Sequence, residues 1–298
     1  MSTHHLHVNG TLPVFTRIAD TLGAPLHGTG LEFCCLNPGY ATMELVAEHI
    51  SHCYGGLVVL DDISLTVRSG EIVAVLGPSG CGKSTLLQII GGLQRPSGGQ
   101  VFTRGAPSAS TLNPLTYVFQ DFALIPWMSV AENVALPLQH HKMTAADRAE
   151  RVRSALARVN LSEFPHAYPK QLCGGMRQRA SIARALVVDP AVLLMDEPLS
   201  ALDAQTRDLL MDDLTRLWTE TQFTAVYVTH NLAEAVRLGH RVVVLSRRPG
   251  RIRDIVAIAL PLAERHDSAP ELIAARDTIW ALIREEAATA DREISNVV

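Results

Sequence analysis

The sequence has no excess of basic residues and no segment suited to crossing a membrane. Its 26 Lys and Arg are outnumbered by 30 Asp and Glu, which gives a net charge of −4, whereas a general nucleic-acid-binding protein usually carries a basic excess. The N-terminus lacks the charged start and apolar core of a signal peptide, and no apolar run approaches the ~18–20 residues that a membrane span requires. We therefore expect no nucleic-acid partner and, for any work at a membrane, attachment through partner subunits from the cytosol.

Cysteine is sparse and irregularly placed. The five cysteines are odd in number and scattered along the chain, which fits neither a disulfide framework nor a zinc pattern. Reduced cytosolic thiols are the simpler interpretation, with a metal site at the adjacent Cys34 and Cys35 as the alternative. His4, His5 and His7 also offer metal ligands, but a solvated tail explains them more simply.

Periodicity divides the chain into three parts. Residues 1–42 show no clear periodicity and are expected to form a poorly ordered N-terminal extension. Residues 43–265 are expected to form the main domain, with a helical part at about 121–188. Residues 266–298 are expected to form a C-terminal helical segment, because Leu272, Ala275, Ile279 and Ile283 lie on one helical stripe.

Several apolar runs predict strands. Residues 43–50 and 57–67 read as two strands joined by a turn at Gly55 and Gly56. Ile72–Leu76, Ala191–Met195 and Ala225–Thr229 are short apolar runs of the kind buried in a sheet, with helical sequence between them. Alternating strands and helices predict a mainly parallel sheet covered by helices.

A glycine-rich segment follows the strand predicted over Ile72–Leu76. Residues 77–84 read GPSGCGKS, which fits the phosphate-binding pattern G-x-x-x-x-G-K-[ST] between a buried strand and a helix. Glycines let the backbone curl so that its N–H groups face phosphate oxygens, and the following helix adds its positive N-terminal end. We therefore expect a nucleotide here, with Lys83 reaching the β- and γ-phosphates and Ser84 binding Mg²⁺.

Two adjacent acids end the apolar run Val192–Met195. Asp196 is expected to hold Mg²⁺, directly or through water, and Glu197 is placed to polarise the attacking water as a general base. A solvated strand end is the alternative, but it does not account for two adjacent acids closing so apolar a run.

Further motifs resemble those of the ABC-transporter ATPases, in that family's usual order, from about residue 43 to residue 252. Residues 172–179 read LCGGMRQR and resemble the family's L-S-G-G signature, with Cys173 in place of Ser. The shorter motifs are individually weak but agree with one another. They are Tyr54 for the A-loop aromatic, Gln120 for the Q-loop glutamine, Ser200–Asp203 for the D-loop and His230 for the switch histidine.

The resemblance implies an α/β fold: an ABC-type P-loop NTPase core with a mainly parallel sheet, an antiparallel β subdomain and an inserted α-helical subdomain. It implies ATP and Mg²⁺ as cofactors and a head-to-tail homodimer in which the signature of one subunit faces the γ-phosphate held by the other. The implied nucleotide-binding residues are Tyr54, Gly77, Pro78, Ser79, Gly80, Cys81, Gly82, Lys83, Ser84, Thr85, Cys173, Gly174, Gly175 and Asp203. The implied catalytic residues are Lys83, Gln120, Glu197 and His230, and the implied Mg²⁺ ligands are Ser84, Gln120 and Asp196.

The resemblance also implies a role in transport. The interval between Gln120 and Cys173 suits a compact helical subdomain rather than the long coiled coil of chromosome-maintenance relatives, and the chain shows no second ATPase cassette and no fused membrane domain. These features fit an importer, with integral-membrane permease subunits as partners, an extracytoplasmic substrate-binding protein reached through the permease, and a peripheral location on the cytoplasmic side of the cell (inner) membrane.

Two segments indicate which branch of the ABC-transporter ATPases the chain resembles. Residues 124–127 read LIPW, and residues 246–252 read SRRPGRI; both resemble the nitrate, sulfonate and taurine importer branch. Trp127 is expected to lie on a partly exposed apolar surface that seats the membrane subunit. A core position in the helical subdomain is the alternative for this residue.

Two other functions stay open at this level. One is a soluble ABC ATPase that takes no part in transport. The other is a subunit that binds ATP but hydrolyses it poorly, which Cys173 favours because a thiol is a much weaker hydrogen-bond donor than the usual serine hydroxyl.

Overall fold

The computed structural model describes residues 43–295; beyond residue 284, at the end of the last helix, it describes the backbone and the side chain of Glu286. The expectations that lie outside this range are those for the extension over residues 1–42, for Cys34 and Cys35, and for His4, His5 and His7.

The described residues form nine strands and seven α-helices. The strands are β1 (Glu44–Tyr54), β2 (Leu57–Val67), β3 (Ile72–Leu76), β4 (Gly98–Arg104), β5 (Leu115–Val118), β6 (Val192–Asp196), β7 (Thr224–Thr229), β8 (Arg241–Leu245) and β9 (Ile252–Ala257). The helices are α1 (Lys83–Ile90), α2 (Val130–Ala135), α3 (Ala145–Arg158), α4 (Gly174–Leu186), α5 (Ala204–Thr221), α6 (Leu232–Leu238) and α7 (Pro270–Ser295).

A six-stranded sheet with the order β5-β6-β7-β3-β8-β9 forms the centre of the fold. Five of its strands are parallel, and β9 joins the edge antiparallel to β8. The strand predicted over Ile72–Leu76 is confirmed, and every residue of β3, β6 and β7 is buried, as strands covered by helices on both faces require. Because these three strands are parallel neighbours, the segments that follow them meet at one edge of the sheet.

A separate three-stranded antiparallel sheet has the order β2-β1-β4. The predicted turn between β1 and β2 is confirmed at Gly55 and Gly56, where Gly55 has φ +59°, a conformation that glycine adopts without steric cost. Tyr54 therefore lies at the tip of this hairpin, paired with Leu57. The two sheets together confirm the predicted α/β class with an antiparallel β part.

The stretch between residues 121 and 188 holds α2, α3 and α4 together with short 3₁₀ turns. Side-chain oxygens cap two of these helices: Ser129 accepts from the N–H of Glu132 and Thr144 from that of Asp147. The residues from 121 to 129 form no helix and run over the surface, which leaves Trp127 76% exposed. The alternative that placed this residue in the core is therefore wrong.

The C-terminal helix α7 begins at Pro270. Leu272 and Ile279, on the predicted stripe, are buried against α6 and the β8–β9 pair, with Ala275 and Ile283 partly buried beside them. Among the described residues, no helix is both long enough and apolar enough to span a membrane.

Candidate nucleotide site

The glycine-rich segment forms a loop between β3 and α1, at the middle of the parallel sheet. Gly80 and Gly82 have φ of +76° and +105°, a conformation that glycine tolerates and most other residues do not. A side chain at Gly82 would also lie 2.7 Å from Leu60 Cδ2. The loop is therefore built for tight curvature, and it ends where α1 begins, at Lys83.

Lys83 is buried beneath this loop. Its Nζ donates to the carbonyl oxygens of Gly77 at 2.9 Å and Pro78 at 3.1 Å. This ammonium group brings a positive charge to a loop whose backbone N–H dipoles also favour an anion.

The acidic end of β6 lies against the start of α1. Asp196 Oδ1 accepts from Ser84 Oγ at 3.0 Å, and Asp196 Oδ2 accepts from Tyr117 Oη at 3.2 Å. Burial raises the pKa of the Asp196 carboxyl above its ordinary value, although the two hydrogen bonds oppose the shift. Burial, with Asp196 nearby, also raises the pKa of Tyr117 well above its ordinary range.

These oxygens fit Mg²⁺. The Ser84 hydroxyl and the Asp196 carboxylate are hard donors close to one another, and Gln120, whose side chain carries an amide oxygen, lines the same cleft as Ser84. A carboxylate whose burial disfavours its charge gains from a neighbouring cation. The arrangement therefore suits a magnesium ion carried in with a phosphate ligand.

Glu197 and His230 form a direct pair at the same sheet edge. His230 Nδ1 lies 2.8 Å from Glu197 Oε2, and the side chains are 55% and 16% exposed. Glu197 has φ +45°, an unfavourable conformation for a residue with a Cβ, and its N–H donates to Val228 O at 2.9 Å. Strained backbone of this kind clusters at functional sites, and here it holds the carboxylate in the cleft.

Glu234 is a buried carboxylate that sequence reasoning missed, and it binds Thr229, the residue before His230. Glu234 is 2% exposed and accepts from Tyr227 Oη at 2.9 Å and Thr229 Oγ1 at 2.7 Å. Arg207 Nε lies 3.4 Å from its other oxygen. No short motif marks this residue; its place in the first turn of α6, capped by Asn231, is the only local signal.

One cleft of about 380 Å³ joins seven of the fourteen predicted nucleotide-binding residues. Tyr54 stands at its rim, 48% exposed, with Leu57 beside it. Other predicted residues in the lining are Ser79, Gly80, Gly82, Lys83, Ser84, Thr85, Gln120 and Glu197. Arg248, which sequence reasoning did not single out as a site residue, also lines this cleft.

The signature residues and Asp203 are not in the lining of that cleft. Cys173 is the N-cap of α4, and Asp203 caps α5 by accepting from the N–H of Thr206 at 3.0 Å. A side chain at Gly175 would lie 2.6 Å from Thr206 Cγ2, so glycine is needed for α4 to approach α5 this closely. The signature and the D-loop residues therefore form a second surface, separate from the lining of the cleft, where the start of α4 is exposed to solvent.

The chain is similar to ATP-binding proteins of known transport systems. The family model described as ABC transporter matches residues 60–200. A taurine import ATP-binding protein of Burkholderia pseudomallei is 44% identical over 227 residues, covering 75% of this chain and 86% of the relative. An aliphatic sulfonates import ATP-binding protein of Bacillus cereus is 39% identical over 223 residues, covering 75% and 88%.

A solved structure is similar in fold as well as in sequence. It is a dimeric, post-hydrolysis state of an ATP-binding cassette bound to ADP and Pi, and it matches with a TM-score of 0.62 and 33% identity, covering 72% of this chain and 98% of that one. The fold implied by the sequence motifs is thereby confirmed.

Proposed function

The chain belongs to the ABC transporter family of ATP-binding proteins, and from this we propose that it hydrolyses ATP to drive a membrane importer for nitrate, a sulfonate, taurine or a similar small anion. The observation that carries the proposal is the cleft in which the phosphate loop, Gln120 and Glu197 meet. The import systems named for two relatives favour a substrate that carries a sulfonate group, which this subunit itself need not touch.

The cleft has the parts that ATP binding needs. The exposed ring of Tyr54 offers a flat apolar face for adenine, and the curled loop offers backbone N–H groups to the phosphates. Lys83 exchanges its bonds to the loop carbonyls for bonds to phosphate oxygens. Ser84, Asp196 and Gln120 would hold Mg²⁺, which when bound neutralises charge on the β- and γ-phosphates.

The hydrolytic step uses Glu197 and His230. Glu197 is proposed to accept a proton from the water that attacks the γ-phosphorus, as the bond to the ADP oxygen breaks. His230, at 2.8 Å from this carboxylate, is proposed to orient Glu197 and to donate to the γ-phosphate. The buried Glu234 fixes Thr229 and, through it, the backbone that carries His230.

A second copy of the chain is proposed to complete the site. Cys173, Gly174 and Gly175 lie at the start of α4, where free N–H groups and the helix dipole favour an anion. Since these residues do not line the cleft of their own chain, a head-to-tail homodimer would bring them to the γ-phosphate of the partner. Asp203, on the same second surface, is proposed to lie at the same interface.

Trp127 is proposed to seat a permease subunit on the cytoplasmic side of the membrane. Exposure of so large an apolar side chain costs solvation free energy unless a partner covers it. The exposed rings of Phe164 and Tyr168 lie on a neighbouring segment, which is joined to α2 by bonds from the N–H of Val130 and Ala131. An extracytoplasmic substrate-binding protein would then act through the permease.

Hydrolysis is tested with the purified chain. We expect Mg²⁺-dependent ATPase activity that Lys83→Ala and Glu197→Gln each abolish. Glu197→Gln should still bind ATP and form a long-lived dimer on size-exclusion chromatography, because the phosphate loop is intact. An active Glu197→Gln enzyme that stays monomeric in saturating ATP would refute the assignment of the base.

Transport is tested in membranes. The tagged chain should co-purify with a multi-spanning protein, and Trp127→Ala should weaken that association more than it weakens ATP binding by the isolated chain. Trp280→Ala is the matched control, since Trp280 is 51% exposed on α7, a helix that packs against α6 and the β8–β9 pair. Equal losses for both variants would argue against a docking role for Trp127.

A subunit that binds ATP but hydrolyses it slowly is the second candidate, and Cys173 is the observation that favours it. Its thiol stands where the family has a hydroxyl, at the exposed N-cap of α4. ATPase assays with the membrane partner present decide between the two, because slow turnover in the assembled complex would support only the second.

A further inference from the structure

The loop between β8 and β9, Ser246–Arg251, touches the phosphate loop directly. Arg248 donates to the carbonyl oxygen of Gly80 from both Nε, at 3.1 Å, and Nη2, at 2.8 Å. A guanidinium that directs two N–H groups at one oxygen fixes the position of that oxygen better than a single donor does. The contact joins residues that are 168 positions apart in sequence.

The backbone of the β8–β9 loop is packed against the same segment. A Cβ at Gly250 would lie 2.3 Å from the carbonyl oxygen of Cys81, so this approach requires glycine. Gly250 also donates to Val59 O at 2.8 Å and accepts from the N–H of Asp61 at 3.0 Å. The β8–β9 loop is therefore wedged between the phosphate loop and β2, the strand that follows the hairpin tip carrying Tyr54.

The hydrogen bonds from Arg248 hold the peptide unit between Gly80 and Cys81. The carbonyl of this unit accepts from Arg248, and its N–H donates to Pro78 O at 3.3 Å. Because residue 80 is a glycine, whose φ here is +76°, many other backbone conformations become open to it once these bonds are lost. A loop that binds phosphate through its N–H groups needs its carbonyls turned away and held elsewhere, and Arg248 holds one of them.

The β8–β9 loop is itself anchored on the C-terminal helix. Glu286 of α7 is 9% exposed, and its Oε2 accepts from the N–H of Arg247 at 3.1 Å, while Oε1 lies 3.8 Å from Arg253 Nε. Within the loop, Ser246 Oγ accepts from the N–H of Arg251 at 3.0 Å. The residue before Arg248 is thus held by a buried carboxylate from the far end of the chain.

We propose that Arg248 is a positioning residue of the phosphate loop, which holds the Gly80–Cys81 peptide in the conformation that receives the phosphates of ATP and is itself held in place by Glu286 of α7. The inference deepens the proposed ATPase function and rests on it. It also assigns a physical role to the SRRPGRI segment, whose arginines and glycine meet the phosphate loop and β2.

The experiment measures KM for ATP and kcat of the full-length chain. Arg248→Met keeps the apolar stem and removes the donors, and we expect it to raise KM about three- to tenfold while kcat at saturating ATP stays within about twofold. The factor is modest because Arg248 is exposed to solvent. Arg248→Lys restores a single cationic donor, and it should recover part of the loss.

Arg251→Ala is the matched control. Arg251 lies in the same loop but pairs with Asp61 Oδ2 rather than with the phosphate loop. We expect its KM to stay within about twofold of the parent. The thermal midpoints of the variants without nucleotide should agree within about 2 °C, since a general loss of folding would lower kcat and the midpoint together.

Glu286→Ala tests the anchor. It should raise KM in the same direction as Arg248→Met but by less, and the double variant should be no worse than Arg248→Met alone, because both changes release the same contact. A parent-like KM for Arg248→Met, an equal rise for Arg251→Ala, or fully additive effects of Arg248→Met and Glu286→Ala would each overturn the proposal. An inactive parent chain would instead count against the proposed function.

Discussion

The sharpest single substitution is Cys173→Ser, which changes one atom at the start of α4. Cys173 is the N-cap of that helix, with φ −69° and ψ 170°, and its side chain makes no capping hydrogen bond. The helices α2, α3, α5 and α6 are all capped by side-chain oxygens. With the same backbone angles, a serine hydroxyl oxygen is expected to accept from the N–H of Met176.

The capping gain can be estimated. Replacing Ser or Thr at an N-cap by Ala costs ~0.5–2 kcal/mol, typically about 1, and a thiol keeps a weak acceptor, so Cys173→Ser should add roughly 0.5–1 kcal/mol to the free energy of unfolding. For a domain of this size that corresponds to a rise of roughly 1–4 °C in the thermal midpoint. This effect belongs to the isolated chain and needs no nucleotide.

A second effect is expected in the ATP-bound dimer. The serine oxygen caps the helix while its hydrogen remains available to the partner's γ-phosphate, so the two roles use different atoms. A hydrogen bond to a charged group is worth about 1.5–3 kcal/mol, which corresponds to roughly ten- to a hundredfold tighter ATP-driven dimer closure per site. The backbone N–H groups of Gly174 and Gly175 are unchanged, so the parent should be impaired rather than inactive.

Two assays separate these effects. Thermal unfolding without nucleotide reports the cap, and steady-state ATPase activity with the membrane partner present reports the dimer contact. Cys53→Ser, which replaces another exposed thiol on β1, is the control. An unchanged midpoint would refute the capping argument, and an ATPase rate that is unchanged or slower would refute the claim that the thiol limits the site.

Two further predictions concern buried polar groups. Asn133→Asp should lower the free energy of unfolding, measured by urea denaturation, by roughly 2–4 kcal/mol, because the fully buried Nδ2 donates to three carbonyls within residues 125–129. A decrease below about 1 kcal/mol would contradict this. Burial, with the charge of Arg265, lowers the pKa of His240 to about 4, while its Nδ1 accepts from the N–H of Ile72 at 3.0 Å. As the pH falls, the unfolded chain binds this proton before the folded chain does. The contribution of His240 to the free energy of unfolding should therefore be fully present above about pH 6.5 and should be lost as the pH drops toward 4. His240→Asn should flatten the pH dependence of the free energy of unfolding in this range, and an unchanged slope would refute the assignment.

The parts of the fold that the sequence predicts well are those with a local cause. Ile72–Leu76 is recognisable because a short apolar run bounded by glycines is typical of a buried strand, and the structure has a strand with the same bounds. The phosphate loop is recognisable because its curvature needs glycine at defined positions, and Gly80 and Gly82 do have positive φ. The stripe on α7 is recognisable because burial repeats with the helical period, and Ile279 is fully buried.

The β8–β9 pair is not among the strands that the sequence predicts, although the last four of the five residues of β8 are apolar and buried. The mostly exposed β9 is stabilised by pairing with its neighbour rather than by its own pattern, and such a strand has no periodic signal to detect. The loop between them was noticed only as a family resemblance, because nothing in the order SRRPGRI shows that the backbone of Gly250 will lie against the carbonyl of Cys81.

The residues that sequence reasoning missed all act by holding other segments of the site in place. Glu234 binds Thr229, Arg248 binds a carbonyl of the phosphate loop, and Asn133 binds three carbonyls of the segment that carries Trp127. Two of the three bind backbone oxygens, which every residue supplies, so no residue type at a fixed spacing marks the contact. Groups that touch a nucleotide must match its chemistry and therefore form motifs. Groups that hold those motifs in place need only a donor and the right position, and only the folded chain defines that position.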